Sequence, residues 1–370
     1  METRIEHLSP KNPDELNRFV QLERKLLHDK PYYVSDIDVD VAFRLSGASA
    51  FFHDALITLY ICQTNGQPVG RCAAMVLPRH QAAKGESVGF IGYFAASDGQ
   101  TDAIVQMLAE AEAWLRAQGV TRVIAPYNGS PLFGYGVMIE GFDQESWVPM
   151  GWNPIWYDSL FRAAGYRPKY PLWYYTIDLT SEAYANANRL TTRNRSVKVR
   201  KIRKGHWHED LEIIRRLIAL TFTREWEFTE LTGDEMREYF DAQRPYLSRE
   251  QLLIAEVDGH TAGFCIGQPN RNAIMRSFQG SLGLINAVKL KHEMHRFDGA
   301  GLIMIGVLRE FRGMGVARSL AVNLYRHYAQ HGQTRSGYYY VNDQNASSRA
   351  FAESIGGQGS IQFMCYDKEL

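Results

Sequence analysis

Cysteine is scarce in this sequence. The chain of 370 residues holds four, Cys62, Cys72, Cys265 and Cys365. None belongs to a CxxC pair, and none lies near histidine at zinc spacing. A disulfide-stapled scaffold and a structural zinc site are therefore not expected, no metal ligand is assigned, and a reducing, cytoplasmic compartment is. Long apolar runs are missing too: no stretch reaches the about 18 residues that a membrane-spanning helix needs, so no membrane partner is expected. The opening segment METRIEHLSPKNPDELNRF carries acids from its start and has no apolar core of leader length. Net charge is absent, with 41 basic and 41 acidic residues, which argues against a bulk polyanionic partner. Neither a Ser-His-Asp nor a Cys-His arrangement is legible.

What is present is the composition of a soluble globular protein, 45% hydrophobic and 22% charged, at a length that suits two domains. One stretch departs from the balance. Residues 189–204, RLTTRNRSVKVRKIRK, contain basic residues and no acid. They read either as a solvated connector or as a patch for a phosphate-bearing partner, a cofactor tail or RNA. This run separates an N-terminal module, 1–180, from a C-terminal one, 209–370, with a basic connector over 181–208.

The two modules carry the same elements in the same order. In the second, LLIAEV (252–257) and TAGFCIG (261–267) form a hairpin around Asp258-Gly259. GLIMIGV (301–307) is a buried strand. A helix follows, with Val316, Leu320, Leu324 and Tyr328 along one face, ending at Gly332. SGYYYV (336–341), a short helix after Asn345, and a closing strand QFMCYD (362–367) complete it. In the first, LITLYICQ and PVGRCAAMVL flank Asn65-Gly66, and ESVGFIGYF is the buried strand. A helix with Ile104, Met107, Leu108, Ala111 and Leu115 on one face comes next. VTRVIAP, a short helix carrying Tyr157 and Leu160, and the closing strand KYPLWYYTIDL (169–179) follow. The registers diverge across the insertion YNGSPLFGYGVMIEGFDQESWVP (127–149), which either packs or lies against a ligand. Two diverged copies of one module account for this pattern. Hairpins mixed with strand–helix–strand crossovers predict an α/β (α+β) fold, each module a mixed twisted sheet flanked by helices.

The second module spends two glycines, Gly313 and Gly315, at the start of a helix it otherwise favours. Glycine there costs about 1 kcal/mol relative to alanine. A helix start offers unpaired N–H groups and a positive dipole end, which together bind phosphate. Bare backbone lets a phosphate oxygen approach, and Arg312 adds a planar cationic fork. The alternative is a turn that only lets the helix pack closely.

With its apolar strand before and apolar helix after, the stretch Arg312-Gly313-Met314-Gly315-Val316-Ala317 resembles the Arg/Gln-x-x-Gly-x-Gly/Ala hallmark of the GNAT superfamily, the acyl-CoA-dependent N-acyltransferases. NASSRAFAESIGG (345–357), with Asn345 ahead of a short helix, resembles the family's next conserved segment. EWEFTELT, GRCAAM and GFIGYF are similar to stretches of bacterial two-module GNAT proteins whose substrates are undefined. The resemblance implies two tandem GNAT-like modules. It implies that backbone groups of Arg312 to Ala317 hold the pyrophosphate of acetyl-CoA or another acyl-CoA, that Ile305, Gly306 and Val307 line its pantetheine, and that Asn345 contacts its arm. It also implies acyl transfer to a small-molecule or peptide amine.

The first module departs from the hallmark. Its counterpart loop, AASDGQTDA (95–103), has one glycine, no arginine, and Asp98 and Asp102, acids expected to cap the helix start themselves and to repel a diphosphate. That module is expected to hold no coenzyme A. The family's usual helix tyrosine, the proton donor, is replaced by Ala352 beside Phe351. Tyr338, Tyr339 and Tyr340 are alternative donors, and alternation places Tyr338 and Tyr340 on one face. Tyr340 is taken as the candidate acid. Glu225, with Glu227 in the segment that would wall the acceptor pocket, is taken as the candidate base; both also read as surface carboxylates. His80, His292 and His295 read as solvated or satisfied. Two readings stay open beside the enzyme: a non-catalytic acyl-CoA sensor or scaffold, and an aminoacyl-tRNA-dependent transferase of the doubled type, for which the basic run is the support.

Overall fold

A computed structural model describes residues 2–146, 151–223, 225–244, 247–283, 286, 288–289 and 299–370. The chain divides into two compact units: Met1–Pro171 with Asn272–Leu290 and Gln362–Leu370, and Leu172–Arg271 with Lys291–Ile361.

The first unit runs β1 (Thr3–Leu8), α1 (Pro13–Leu27), α2 (Asp38–Leu45), β2 (Leu56–Thr64), β3 (Gln67–Val76), α3 (Pro78–Lys84), β4 (Val88–Ala96), α4 (Thr101–Ala117), β5 (Arg122–Ala125), β6 (Val137–Glu140), α5 (Tyr157–Ala163) and the start of β7 (Arg167–Asp178). Strands β1 to β4 are antiparallel neighbours, and β5 joins β4 in parallel. The β2–β3 hairpin turns at Asn65 and Gly66, both left-handed with φ of 51° and 76°, which is the geometry of the favoured hairpin turn. Side-chain alternation along β3 sends Gly70 toward α4, where its missing Cβ leaves room for Ile104 and Met107, and Arg71 toward α1, where it donates to the carbonyls of Phe19 and Val20. Helices thus cover both faces, and the main core lies under α4 and α5. Each buried leucine, isoleucine or valine there contributes roughly 1.5–3 kcal/mol.

The second unit runs α6 (Glu182–Arg193), β8 (Val197–Lys201), α7 (Trp207–Phe222), α8 (Gly233–Gln243), β9 (Leu252–Val257), β10 (His260–Pro269), then β11 (Ala300–Val307), α10 (Val316–Gln330), β12 (Arg335–Asn342) and α11 (Ala346–Ser354); a helix α9 (Asn272–Phe278) between β10 and β11 counts with the first unit. Strands β8 to β11 are antiparallel neighbours and β12 lies parallel to β11. Gly263 and Gly267 of β10 make room for Val316, Leu324 and Tyr328 of α10, while Phe264 on the opposite face meets Phe222 of α7.

Each closing strand differs from its expected position. The strand next to β5 in the first unit is the end of β13 (Gly357–Glu369), paired from Tyr366 to Glu369; β6 pairs with it at Gln362–Met364. The strand next to β12 in the second unit is β7, paired from Leu172 to Asp178. KYPLWYYTIDL and QFMCYD are strands as expected, but each completes the unit made by the other half of the sequence. Both are aromatic and apolar, so their patterns suit either partner.

Candidate active site

The second unit opens along β11. Register with β10 pairs Phe264 with Gly306 and Cys265 with Ile305, and Leu308 N–H donates to the Ala262 carbonyl at 2.9 Å. In an antiparallel ladder hydrogen-bonded and non-bonded pairs alternate. The main-chain groups of Ile305 and Val307 therefore face away from β10. On that side β12 pairs only with Gly301 and Leu302. Beyond Leu302 the two strands part, and the amide and carbonyl groups of Ile305 and Val307 face the split. Gly306 points the other way, against Thr221 and Phe264 of the opposite face.

Past Val307 the chain makes one tight turn over Arg309–Phe311 and enters the glycine loop. Gly313 and Gly315 are left-handed, with φ of 81° and 79°. A Cβ on Gly313 would meet nothing within 4 Å; on Gly315 it would lie 3.0 Å from Asn194 Nδ2 and 3.2 Å from Arg318 Nη2. The first α-helical bond of α10 runs from Ser319 N–H to the Gly315 carbonyl. Val316, Ala317 and Arg318 N–H groups have no acceptor among the described residues, no side chain caps this helix, and its first turn holds no acid. In the same unit α6, α8 and α11 are capped by Ser181, Thr232 and Asn345. Arg312 and Met314 are exposed. An uncapped N-terminus behind bare backbone, with an exposed arginine, has the donor set of a diphosphate cradle.

Asn345 stands where expected, ahead of α11, and its Oδ1 accepts the Ser348 N–H at 3.1 Å. Ala352 is fully buried. Tyr338 is buried and packs edge-on against Phe351, and Tyr339 lies against the Tyr174 ring. The alternation expected for Tyr338 and Tyr340 does not hold. Tyr340 has a φ of 53°, and the β12 register slips between Tyr338 and Val341. That bulge gives Val341 the place in the Tyr338 core that alternation assigned to Tyr340, leaving Tyr340 half-buried. Glu225 is half-buried just past α7, and burial raises its pKa above the ordinary carboxylate range. Glu227 is buried (6% exposed), with a left-handed φ of 50°, and so is no surface carboxylate. His80 is buried against Phe90; His292 and His295 lie outside the described residues. No cluster of metal-ligating side chains occurs among the described residues.

One residue at this site was not singled out from sequence. Asn194, within the basic run, donates from Nδ2 to the Met314 carbonyl at 3.0 Å, while its Oδ1 accepts from Ser196. The run's charge drew attention; nothing in the order of residues marks an uncharged amide within it as a clamp.

The first unit has the same split, filled by its own chain. Strand β5 pairs with β4 only from Val88 to Phe90. Beyond that, Tyr127 N–H donates to the Ile91 carbonyl at 2.9 Å, and Tyr93 N–H donates to Asn128 Oδ1 at 2.7 Å. Ser97 N–H donates to Val69 as Leu308 does to Ala262, so Ala96 matches Val307. The Ala96 N–H donates to Tyr157 Oη at 2.7 Å. The insertion after β5 therefore packs, with Gly129 against Phe52 and β6 on the sheet. The loop acids act differently from expectation: Asp98 accepts from its neighbour Gly99 at 2.8 Å, no side chain caps α4, and Asp102 is exposed.

Residues 220–356 match the model of the acetyltransferase (GNAT) family. A bacterial ceramide synthase of Caulobacter vibrioides is 26% identical over 97% of this chain and 96% of its own. Protein YghO of Escherichia coli is 23% identical over 97% of this chain and 94% of its own. Among solved structures, a tandem GNAT protein from the clavulanic acid biosynthesis pathway superposes with a TM-score of 0.60 at 14% identity, covering 100% of this chain and 98% of that one. The matched segment holds the split strand, the glycine loop and the uncapped helix. Over residues 220–356 the chain is thus similar to the GNAT acetyltransferase family, and as a whole it has the fold of a tandem GNAT protein.

Proposed function

We propose that this protein is an N-acyltransferase whose second unit binds an acyl-coenzyme A and passes the acyl group to an amine. The observation that carries the reading is the free start of α10: three N–H groups without acceptors among the described residues, behind two left-handed glycines, continuous with the unpaired edge of β11. Arg312, Gly313, Met314, Gly315, Val316 and Ala317 would hold the diphosphate. Ile305 and Val307 would meet the pantetheine through main-chain groups, Gly306 keeping the strand close to α7, and Asn345 would border its arm. The bound cofactor supplies an activated thioester.

The chain's own residues supply the rest. Val307 N–H, turned into the split, polarises the acyl carbonyl. Glu225 takes a proton from the incoming ammonium, since only a neutral amine attacks. Its raised pKa makes it a stronger base than an exposed carboxylate. Tyr340, held by the β12 bulge, protonates the departing thiolate. The first unit serves as a structural partner, because Tyr127, Asn128 and Tyr157 fill the matching places in its split.

For the acceptor, the relative named as a ceramide synthase favours a lipid amine: a ceramide is the amide of a fatty acid with a long-chain amino alcohol. The test is release of free thiol from acetyl-CoA and a long-chain acyl-CoA against amines that include a long-chain amino alcohol, with coenzyme A binding followed by calorimetry. Turnover with any amine supports the reading. Binding without turnover on any of them would leave a sensor, and no binding would remove the site.

A further inference from the structure

The motif arginine is not alone at the glycine loop. Asn194, clamped to the Met314 carbonyl, carries Arg193 and Arg195 on either side of it in sequence, and both are exposed. Arg318, in the first turn of α10, has its guanidinium over Gly315, and its Nε is buried with no hydrogen-bond partner among the described residues. None of Arg193, Arg195, Arg312 and Arg318 forms an ion pair or side-chain hydrogen bond among the described residues. Elsewhere in the same run three cations are matched, Arg200 with Asp210 and Glu256, Lys201 with Glu250, and Arg203 with Asp210 and Glu209, while Lys198 and Lys204 are exposed. The ion-paired arginines of the run, Arg200 and Arg203, thus lie away from the loop, and Arg193 and Arg195 flank the residue clamped to it.

The cluster at the loop is electrostatically costly by itself. A cation in the first turn of a helix opposes the dipole, and like charges gathered at one place repel. Arg193 has a partial excuse, since it ends α6, where a cation is favoured. Arg195 and Arg318 have none. Glu310, in the preceding turn, pairs with none of them. A diphosphate on the free N–H groups engages Arg312 and leaves Arg195 and Arg318 without partners, so the charge count calls for a further anion on the same ligand.

We propose that Arg195 and Arg318, with Arg193 at their flank, form a second phosphate subsite beside the glycine loop, which reads the 3′-phosphate of coenzyme A. The proposal rests on the coenzyme A reading above and adds a specificity to it: the second unit selects the 3′-phosphorylated carrier over its dephosphorylated form. The segment joining the two modules in sequence supplies the selection together with the first turn of α10.

The test measures binding of coenzyme A and of 3′-dephospho-coenzyme A by calorimetry, on the full chain and at one ionic strength. The wild type should bind coenzyme A at least tenfold more tightly. R193A/R195A alters two exposed side chains and should bring coenzyme A down to the dephospho level, while changing dephospho-coenzyme A less than threefold. R318Q should show the same split. Equal affinity of the wild type for both ligands would overturn the proposal, as would a variant that weakens both ligands alike. If the wild type bound neither ligand, the coenzyme A site itself would be wrong.

Discussion

Gly315→Glu tests the cradle directly. The site is left-handed at a φ of 79°, where a side chain costs about 1–2 kcal/mol. The new Cβ would also press on Asn194 Nδ2 at 3.0 Å. A carboxylate at the start of α10 would return roughly 0.3–1 kcal/mol through the dipole, so the net loss of stability is about 1 kcal/mol and a few degrees in Tm. Binding should suffer more than folding does. The carboxylate can accept from the N–H groups meant for the diphosphate and repels it besides, so coenzyme A affinity should fall at least tenfold, about 1.4 kcal/mol. Gly332→Ala is the control: its φ is 82°, a Cβ there meets nothing within 4 Å, and it follows the other end of the same helix. It should cost similar stability and leave binding alone. Calorimetric titration with coenzyme A, paired with thermal unfolding, reads both. Wild-type affinity in Gly315→Glu would refute the reasoning, and an equal loss in Gly332→Ala would assign the effect to stability.

Four further outcomes are expected. Burial raises the pKa of Glu225, so a rate that needs its ionised form should fall on acidification at a pH above the ordinary carboxylate range; Glu225→Gln should abolish that limb of the pH–rate profile. The same shift favours the neutral carboxyl in the folded state, so its contribution to stability is present below the unfolded pKa and lost as pH rises through the folded one; Glu225→Gln should therefore be more stable than wild type at neutral pH in urea titration. Tyr340→Phe should lower kcat by about 10²–10⁴-fold with little change in KM; an unaltered kcat would move the acid to another residue. Asn128→Ala removes the acceptor of Tyr93 N–H and the donor to the Phe133 carbonyl, which should cost about 2 kcal/mol without altering coenzyme A affinity; a change in affinity would contradict a purely structural first unit.

The parts of the fold legible in sequence are those set by local chemistry. Asn65-Gly66 and Asp258-Gly259 adopt left-handed turns because that residue order permits them, and α4 and α10 bury the faces that helical spacing marks. The glycine loop was legible for the same reason. What escaped depends on partners distant in sequence. Alternation along SGYYYV gave no sign of the bulge that turns Tyr340 aside. The acids of AASDGQTDA were read as caps, but the filling of the first split comes from Tyr127, Asn128 and Tyr157, residues whose types are equally at home in a core. Closing strands of equal aromatic and apolar content carry no mark of which sheet takes them.

That exchange of closing strands has a bearing on synthesis. Strand β5 finds its neighbour in Tyr366–Glu369, a stretch translated long after it. Until then the N-terminal sheet has an open edge where backbone groups await partners, and a fragment cut at the basic run would keep that edge for good. The two halves of the gene product are therefore tied into one maturation event, and separating them by proteolysis or by cloning should yield an association-prone piece in place of a freestanding module.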